Sequence, residues 1–380
     1  MPEAKQVLLV DTWGHGGLSA FCRNLAAGLS RLGCVVDVYC FSKDWAFEDA
    51  IRSVSRATFK PPASFISVIA CGGYDVVHAS TCAVGYPFSV PARASRAGFE
   101  GRLVVTAHYL AETELPLSLI DCVTAVSSPV AAALSRRNAV DIRVVQNGID
   151  VEHFSPGEAV DRTPSTDKPI LAWIGRAADP YAKDVDGFLY LAASDQTGEY
   201  DYWIVDGSPE VSPTMCRLSE WFSRHRLRYE RGVSYDQLPD FYRRVAASGG
   251  AVVSTSVQEA SPLSLLEAWA CRCVTVVPEV PGFEHAIEAR ASVHYRRADG
   301  IDGLQRAVRV ATEPGGQRRL GEAGFDLART RYDRDTMSRA YLSLYSDGCG
   351  VPLCKQTPTR RLLSKLWVAG DRARQIIRTR

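Results

Sequence analysis

The sequence predicts an α/β protein made of two doubly wound, Rossmann-like domains. Three observations carry that expectation. Short apolar runs of strand type alternate with segments of helical periodicity along the chain. The alternation starts at Val7–Val10 and restarts at Ile170–Ile174, after a polar stretch with prolines at 164 and 169. The length, 380 residues, suits two domains. An apolar fraction of 46% fills two ordinary cores. A net charge of +1 gives no field that would favour nucleic acid as a partner.

In the first half, Val7-Leu8-Leu9-Val10 reads as a buried strand, and glycines 14, 16 and 17 follow it. Leu18, Phe21, Cys22, Leu25, Leu29 and Leu32 share one helical face, and Gly33 stops that helix. Val35–Cys40 is the next strand, completing a βαβ opening. Further strands are expected at Tyr74–His78, Arg102–His108, Cys122–Val126 and Ile142–Val145. His78 and His108 thus fall at strand ends, where an open α/β sheet binds its ligands. A structural histidine bonded to a neighbouring loop would serve His108 as well. The turn Asn147-Gly148-Ile149-Asp150 leads to a domain boundary expected near residue 160. Residues 1–160 form the first domain, 161–346 the second, with the last helix as the candidate to cross back, and 347–380 a basic tail.

The second half repeats the pattern. Strands are expected at Ile170–Ile174 running into Gly175-Arg176, at Tyr202–Val205 before Asp206-Gly207, and at Arg228–Val233. A helix spans Val185–Ala193, and Leu238, Phe241, Tyr242 and Val245 mark another. The strand Ala251–Val253 then enters a loop holding Glu259 and a helix holding Glu267. Pro262 suits the first helical position and Ser261 the cap before it. A helix mouth offers N–H groups and a positive dipole end to a phosphate, and carboxylates accept hydrogen bonds from sugar hydroxyls. Both together point to a nucleotide-sugar. Val274–Pro278 is a strand, residues 300–330 form two helices, and Tyr341, Leu342, Leu344 and Tyr345 lie on a third.

Several other chemistries fit poorly. A dehydrogenase-type dinucleotide site lacks its third glycine, since position 19 is serine, and Asp37 lies inside its strand. Cys271-Arg272-Cys273 has no second pair at zinc spacing. The eleven scattered cysteines read as reduced thiols of a cytoplasmic protein. Asp184-Val185-Asp186 is read as charge at a helix start, not as a metal site. No cleavable leader or membrane-spanning stretch is expected. Residues 355–380 hold eight Lys/Arg against one acid, interleaved with leucines and Trp367. They are a solvated or packed tail, or a basic amphipathic helix touching an anionic membrane.

Taken together, these segments resemble the retaining GT-B glycosyltransferases of glycosyltransferase family 4, over nearly the whole chain except the tail. Glu259…Glu267 is similar to the family's E-x7-E motif. Gly175-Arg176…Lys183 resembles its phosphate clamp, with a longer interval between the two cations. Asn147-Gly148-Ile149-Asp150…Phe154-Ser155-Pro156 resembles the segment before its interdomain linker. The resemblance implies two domains facing across a cleft. It also implies transfer of a sugar from a nucleotide-sugar, with a UDP-sugar expected, to an acceptor hydroxyl. The leaving phosphate would take the acceptor's proton, without a cofactor or essential metal. It assigns catalysis to His108, Arg176, Lys183 and Glu259. Donor binding falls to Gly16, Gly17, Asp206, Gly207, Arg231, Val233, Ala260, Ser261, Leu263 and Glu267, with Glu267 on the ribose. His78 and Tyr109 are expected on the acceptor side. The acceptor itself, a lipid carrier, polysaccharide or small natural product, stays open. So do a nucleotide-sugar epimerase and a non-catalytic sugar-nucleotide-binding subunit.

Overall fold

The computed structural model describes residues 5–12, 16–42, 51–52, 58–60, 65–85, 88–111, 113–138, 140, 142–157, 168–179, 182–208, 215 and 227–347. The basic tail at 355–380 lies outside the described residues. The chain divides into two compact units, residues 1–148 with 334–380, and residues 149–333.

The first unit holds a seven-stranded sheet of β1 (Gln6–Asp11), β2 (Val35–Cys40), β3 (Thr58–Lys60), β4 (Val76–Ser80), β5 (Arg102–Ala107), β6 (Cys122–Ala125) and β7 (Arg143–Val144). Its order is β3-β2-β1-β4-β5-β6-β7. Every pairing is parallel. Parallel strands are covered on both faces, which is why they appear in the sequence as continuous apolar runs. The expected first helix runs from Gly16 to Arg31, and Gly33 ends it with φ +87°. Asp37 sits in mid-strand and accepts a hydrogen bond from Tyr74 Oη at 2.6 Å, so its carboxylate is committed inside the fold. Strand β4 continues past His78, its expected end, to Ser80.

The second unit holds β8 (Ile170–Gly175), β9 (Asp201–Asp206), β10 (Leu227–Arg231), β11 (Ala251–Val253), β12 (Val274–Pro278) and β13 (Val293–Tyr295), ordered β10-β9-β8-β11-β12-β13. These pairings too are parallel. Alternate residues split between two cores. Ile170, Ala172, Trp203, Val205 and Val252 enter one cluster. Leu171, Trp173, Tyr202, Ile204, Ala251 and Val253 enter the other. Each fully buried large apolar side chain in such a core is worth about 1.5–3 kcal/mol over exposure. The strand order reverses between β8 and β11, the topological switch point at which open α/β sheets bind ligands.

The change of unit comes between Gly148 and Ile149, ahead of the boundary expected near residue 160. Ile149 donates its N–H to Tyr332 O at 2.8 Å and bridges Asp333, which ties it to the second unit. Gly148 O accepts from Asn24 Nδ2 at 2.8 Å within the first unit. The last helix, Arg334–Asp347, lies with the first unit. Met337, Tyr341, Leu344 and Tyr345 enter its core, and Arg102 donates to Leu344 O at 2.7 Å.

Among the described cysteines, 22, 34, 40, 71, 82, 271 and 273 are free thiols. Cys122 is disulfide-bonded, which departs from the expectation of thiols throughout.

Candidate functional site

Within the second unit, two loops leave the carboxyl ends of the strands flanking the switch point. One follows β8 and carries Arg176, Asp179 and Lys183; Pro180 and Tyr181 in it lie outside the described residues. The other follows β11 and carries Thr255, Ser256 and Glu259. They are joined through backbone, with Val257 N–H donating to Ala182 O at 2.8 Å. They are also joined through side chains. Lys183 Nζ donates to Glu259 Oε1 at 2.5 Å, and Ser256 Oγ donates to the same oxygen at 2.7 Å. The lysine and glutamate side chains keep only 21% and 11% of their accessibility, so the pair is far less screened than a surface contact.

The long Arg176-to-Lys183 interval is organised by Asp179. Its Oδ2 accepts from Arg176 Nη2 at 2.9 Å, its Oδ1 from Ala182 N–H at 3.2 Å, and its carbonyl from Lys183 N–H at 3.0 Å. These bonds tie the two ends of the interval together, and Lys183 reaches Glu259. Arg176 stays 42% accessible, its guanidinium at the rim.

The helix after the second loop runs Leu263–Ala270 with Pro262 at its cap. The start is one residue later than the expected one, and Ser261 does not act as the cap. Proline is extended there, with ψ 113°, and the first-turn amides of the helix follow it. Glu267, in the second turn, is buried, and its Oε2 accepts from Tyr242 Oη at 3.0 Å. Burial raises the Tyr242 phenol well above its ordinary range, and the Glu267 carboxylate raises it further. The tyrosine therefore remains a donor that orients this carboxylate. Ser254, Ser256, Glu259, Pro262, Ser264, Leu265 and Trp173 are among the residues lining a small cleft here. Gly282, at φ +97°, lies against this loop, and a Cβ there would meet Glu259 O at 2.1 Å.

Other expected donor residues fare differently. Asp206 ends β9 and is enclosed. Its Oδ1 accepts from Ala177 and Ser208 N–H at 3.0 and 2.8 Å, and its Oδ2 from Tyr229 Oη at 2.8 Å. Burial works against its charge, but these bonds prevail and hold the carboxyl below its usual range. Its oxygens brace the β8 loop. Gly207 N–H is likewise used, donating to Gly175 O at 2.8 Å. Arg231 is exposed at the end of β10, with Nη2 donating to Ser208 O at 3.3 Å, and Val233 is partly buried. Ala260, Ser261 and Leu263 line the approach to the helix and are partly accessible. Asp184 accepts from Gly187 N–H at 3.2 Å and pairs with Arg297 at 2.7 Å, consistent with helix-start charge. Among the described residues no group of three His, Cys, Asp or Glu could hold a metal ion.

In the first unit, Gly16 and Gly17 open the first helix, exposed, with Gly16 at φ +77°. His108 follows β5 directly. Its ring packs edge-on against Phe21 at 4.4 Å, and its Nε2 is enclosed without a hydrogen-bond partner. Burial holds its pKa down to about 3, so the ring is neutral near pH 7. Tyr109 is 43% accessible, as suits a surface lining. His78 is placed differently from His108. Because β4 runs on to Ser80, His78 lies inside the fold, with Nδ1 bonded to Tyr345 Oη and Nε2 to Thr106 Oγ1, each at 2.7 Å. One ring nitrogen is bonded to the last helix and the other to β5.

The sequence reading missed Asp179, Ser256, Thr255, Tyr242 and Arg297. The first three flank motif positions and could have been found as side chains able to cap a loop. Nothing local marks Tyr242 or Arg297.

Residues 15–153 match the model of Glycosyltransferase Family 4. No curated protein matches the chain. Among solved structures it is similar to a glycosyltransferase from Rickettsia africae, at 14% identity and TM-score 0.74, over 92% of this chain and 100% of that one. It is also similar to HepE of Anabaena in complex with UDP-glucose, at 16% identity and TM-score 0.71, over 90% and 99% of the two chains. Sucrose-phosphate synthase of Thermosynechococcus elongatus follows at 18% identity and TM-score 0.67, over 90% and 98%. The chain thus has the fold of the GT-B glycosyltransferases, two Rossmann-like units, with a glycosyltransferase-type domain matched in its first unit.

Proposed function

We propose that the protein is a retaining glycosyltransferase that takes a nucleotide-sugar, a UDP-sugar first among them, in its second unit. The observation that carries the reading is the meeting of Lys183, Glu259 and the Leu263–Ala270 helix start at the switch point of the second sheet. A diphosphate needs cations and free amides, while a sugar needs carboxylates, and the two loops with the helix start carry these groups. Support comes from the glycosyltransferase family match in the first unit and from the fold shared with a neighbour solved with UDP-glucose.

In this reading Lys183 and the rim guanidinium of Arg176 offset charge on the departing diphosphate. The bond from sugar C1 to the phosphate oxygen breaks, and the acceptor oxygen bonds to C1 on the same face. The acceptor's proton passes to the departing phosphate oxygen, so no separate base is required. Glu267 takes the ribose hydroxyls and Glu259 the sugar hydroxyls. Neutral His108 and the exposed Tyr109 keep in this reading the roles that the family resemblance implies for them.

Purified protein titrated with a panel of nucleoside diphosphates and their sugars should bind one base best. With added acceptor it should form a product whose anomeric configuration, read by NMR, matches the donor's. Inverted configuration would sink retention. Conversion of the sugar without acceptor would turn the reading towards epimerisation.

A further inference from the structure

Arg297 stands just after β13, outside every motif that led to the donor cleft, yet it holds both cleft loops. Its Nη1 donates to Thr255 O at 2.5 Å and its Nη2 to Asp184 Oδ2 at 2.7 Å. Thr255 completes the knot: its hydroxyl donates to Asp184 O at 2.6 Å and accepts from Trp173 Nε1 at 3.1 Å. These contacts grip the residues beside the reactive pair. Asp184 directly follows Lys183, and Thr255 shortly precedes Glu259. Asp184 also has φ 47°, a left-handed backbone that non-glycine residues adopt rarely and only when held.

The grip is planar and forked. One guanidinium reaches a carboxylate and a carbonyl on two different loops, which an ammonium cannot do in the same geometry. The ion pair is partly open to water, with 35% and 23% of the two side chains accessible, so it adds little to stability. Its consequence lies in position, because a clamp displaced by about 1 Å loses much of its effect on a reacting group.

We propose that Arg297 is a positioning residue for the phosphate clamp, fixing Lys183 against the Glu259 loop at the separation a nucleoside diphosphate requires. The inference rests on the donor-cleft reading above. A group acting this way strengthens binding of the diphosphate and leaves binding of the nucleoside untouched. Its effect also disappears when Lys183 is gone.

The test uses the full chain with UDP, ADP and GDP, then the best binder and its nucleoside. Arg297→Ala should lose about 10-fold in diphosphate affinity, with nucleoside affinity and melting temperature unchanged. Arg297→Lys should recover part of the loss. In a Lys183→Ala background, Arg297→Ala should cost nothing further. Parallel loss of nucleoside and diphosphate affinity overturns the proposal. So do losses that multiply in the double variant, since Arg297 would then act separately from Lys183. If Arg297→Ala does not fold, Asp184→Asn, which keeps the cap oxygen and removes the charge, is read by the same ratio. Wild-type protein that binds none of the three diphosphates sinks the donor-cleft reading itself.

Discussion

The two units repeat one strand order and give their carboxyl-end loops opposite chemistry. Around the switch point of the second sheet stand Arg176, Lys183 and Glu259, with Glu267 behind them, all charged groups with partners. At the corresponding ends in the first sheet stand Thr12, Ser80, His108 and Tyr109, beside an enclosed Asp11. Two of its histidines, His78 and His108, are kept neutral, both held to about 3, chiefly by burial. The difference teaches that the backbone supplies the crevice while the loops choose the ligand's charge.

That contrast can be broken most forcefully at Glu259. Glu259→Gln removes the charge opposite Lys183 and should lower turnover by about 10²–10³. Stopped assays with the best nucleotide-sugar would show it, and an unchanged rate would move the chemistry out of the second crevice. Gly282→Ala comes next. The added Cβ would press on Glu259 O, and its φ of +97° disfavours any side chain. The expected result is about a 10-fold loss of turnover and a lower melting temperature. Normal kinetics would mean that the Glu259 loop can shift without cost.

The smallest effect concerns acid. His78 has a folded pKa of about 3, below its ordinary value, so the unfolded chain binds its proton first. Its contribution to stability is complete above about pH 6.5 and drains away as pH falls towards 3, by up to about 1.4 kcal/mol per pH unit. His285 in the second unit is held at about 4 by burial and then by Arg331, so both units should weaken. The first, with two such rings, should weaken more. Amide exchange at pH 7.5 and 5.5, compared unit by unit, would read this, and equal loss in both would erase the distinction.

The fold was largely legible because its signals are local. Apolar runs bounded by glycine mark buried strands, and Leu18, Phe21, Leu25 and Leu29 mark a helix face without reference to the rest of the chain. The helix over Leu263–Ala270 was visible for the same reason, and its start shifted by one because proline fits at the cap or just after it. The site was only half legible. Glu259, Glu267 and Lys183 were named from motif spacing; Lys183 and Glu259 meet in an ion pair, while Glu267 is bonded to Tyr242.

The sequence by itself determined the strand and helix pattern, the two-unit α/β class and the charged residues of one crevice. Tertiary structure decided which of those side chains remain available to a ligand. His78 is consumed by Tyr345 and Thr106, and Asp206 by the β8 loop. Arg297 is brought to Asp184 across a separation of 113 residues. Such contacts form only when distant loops fold onto one sheet edge, so no local period or spacing can announce them.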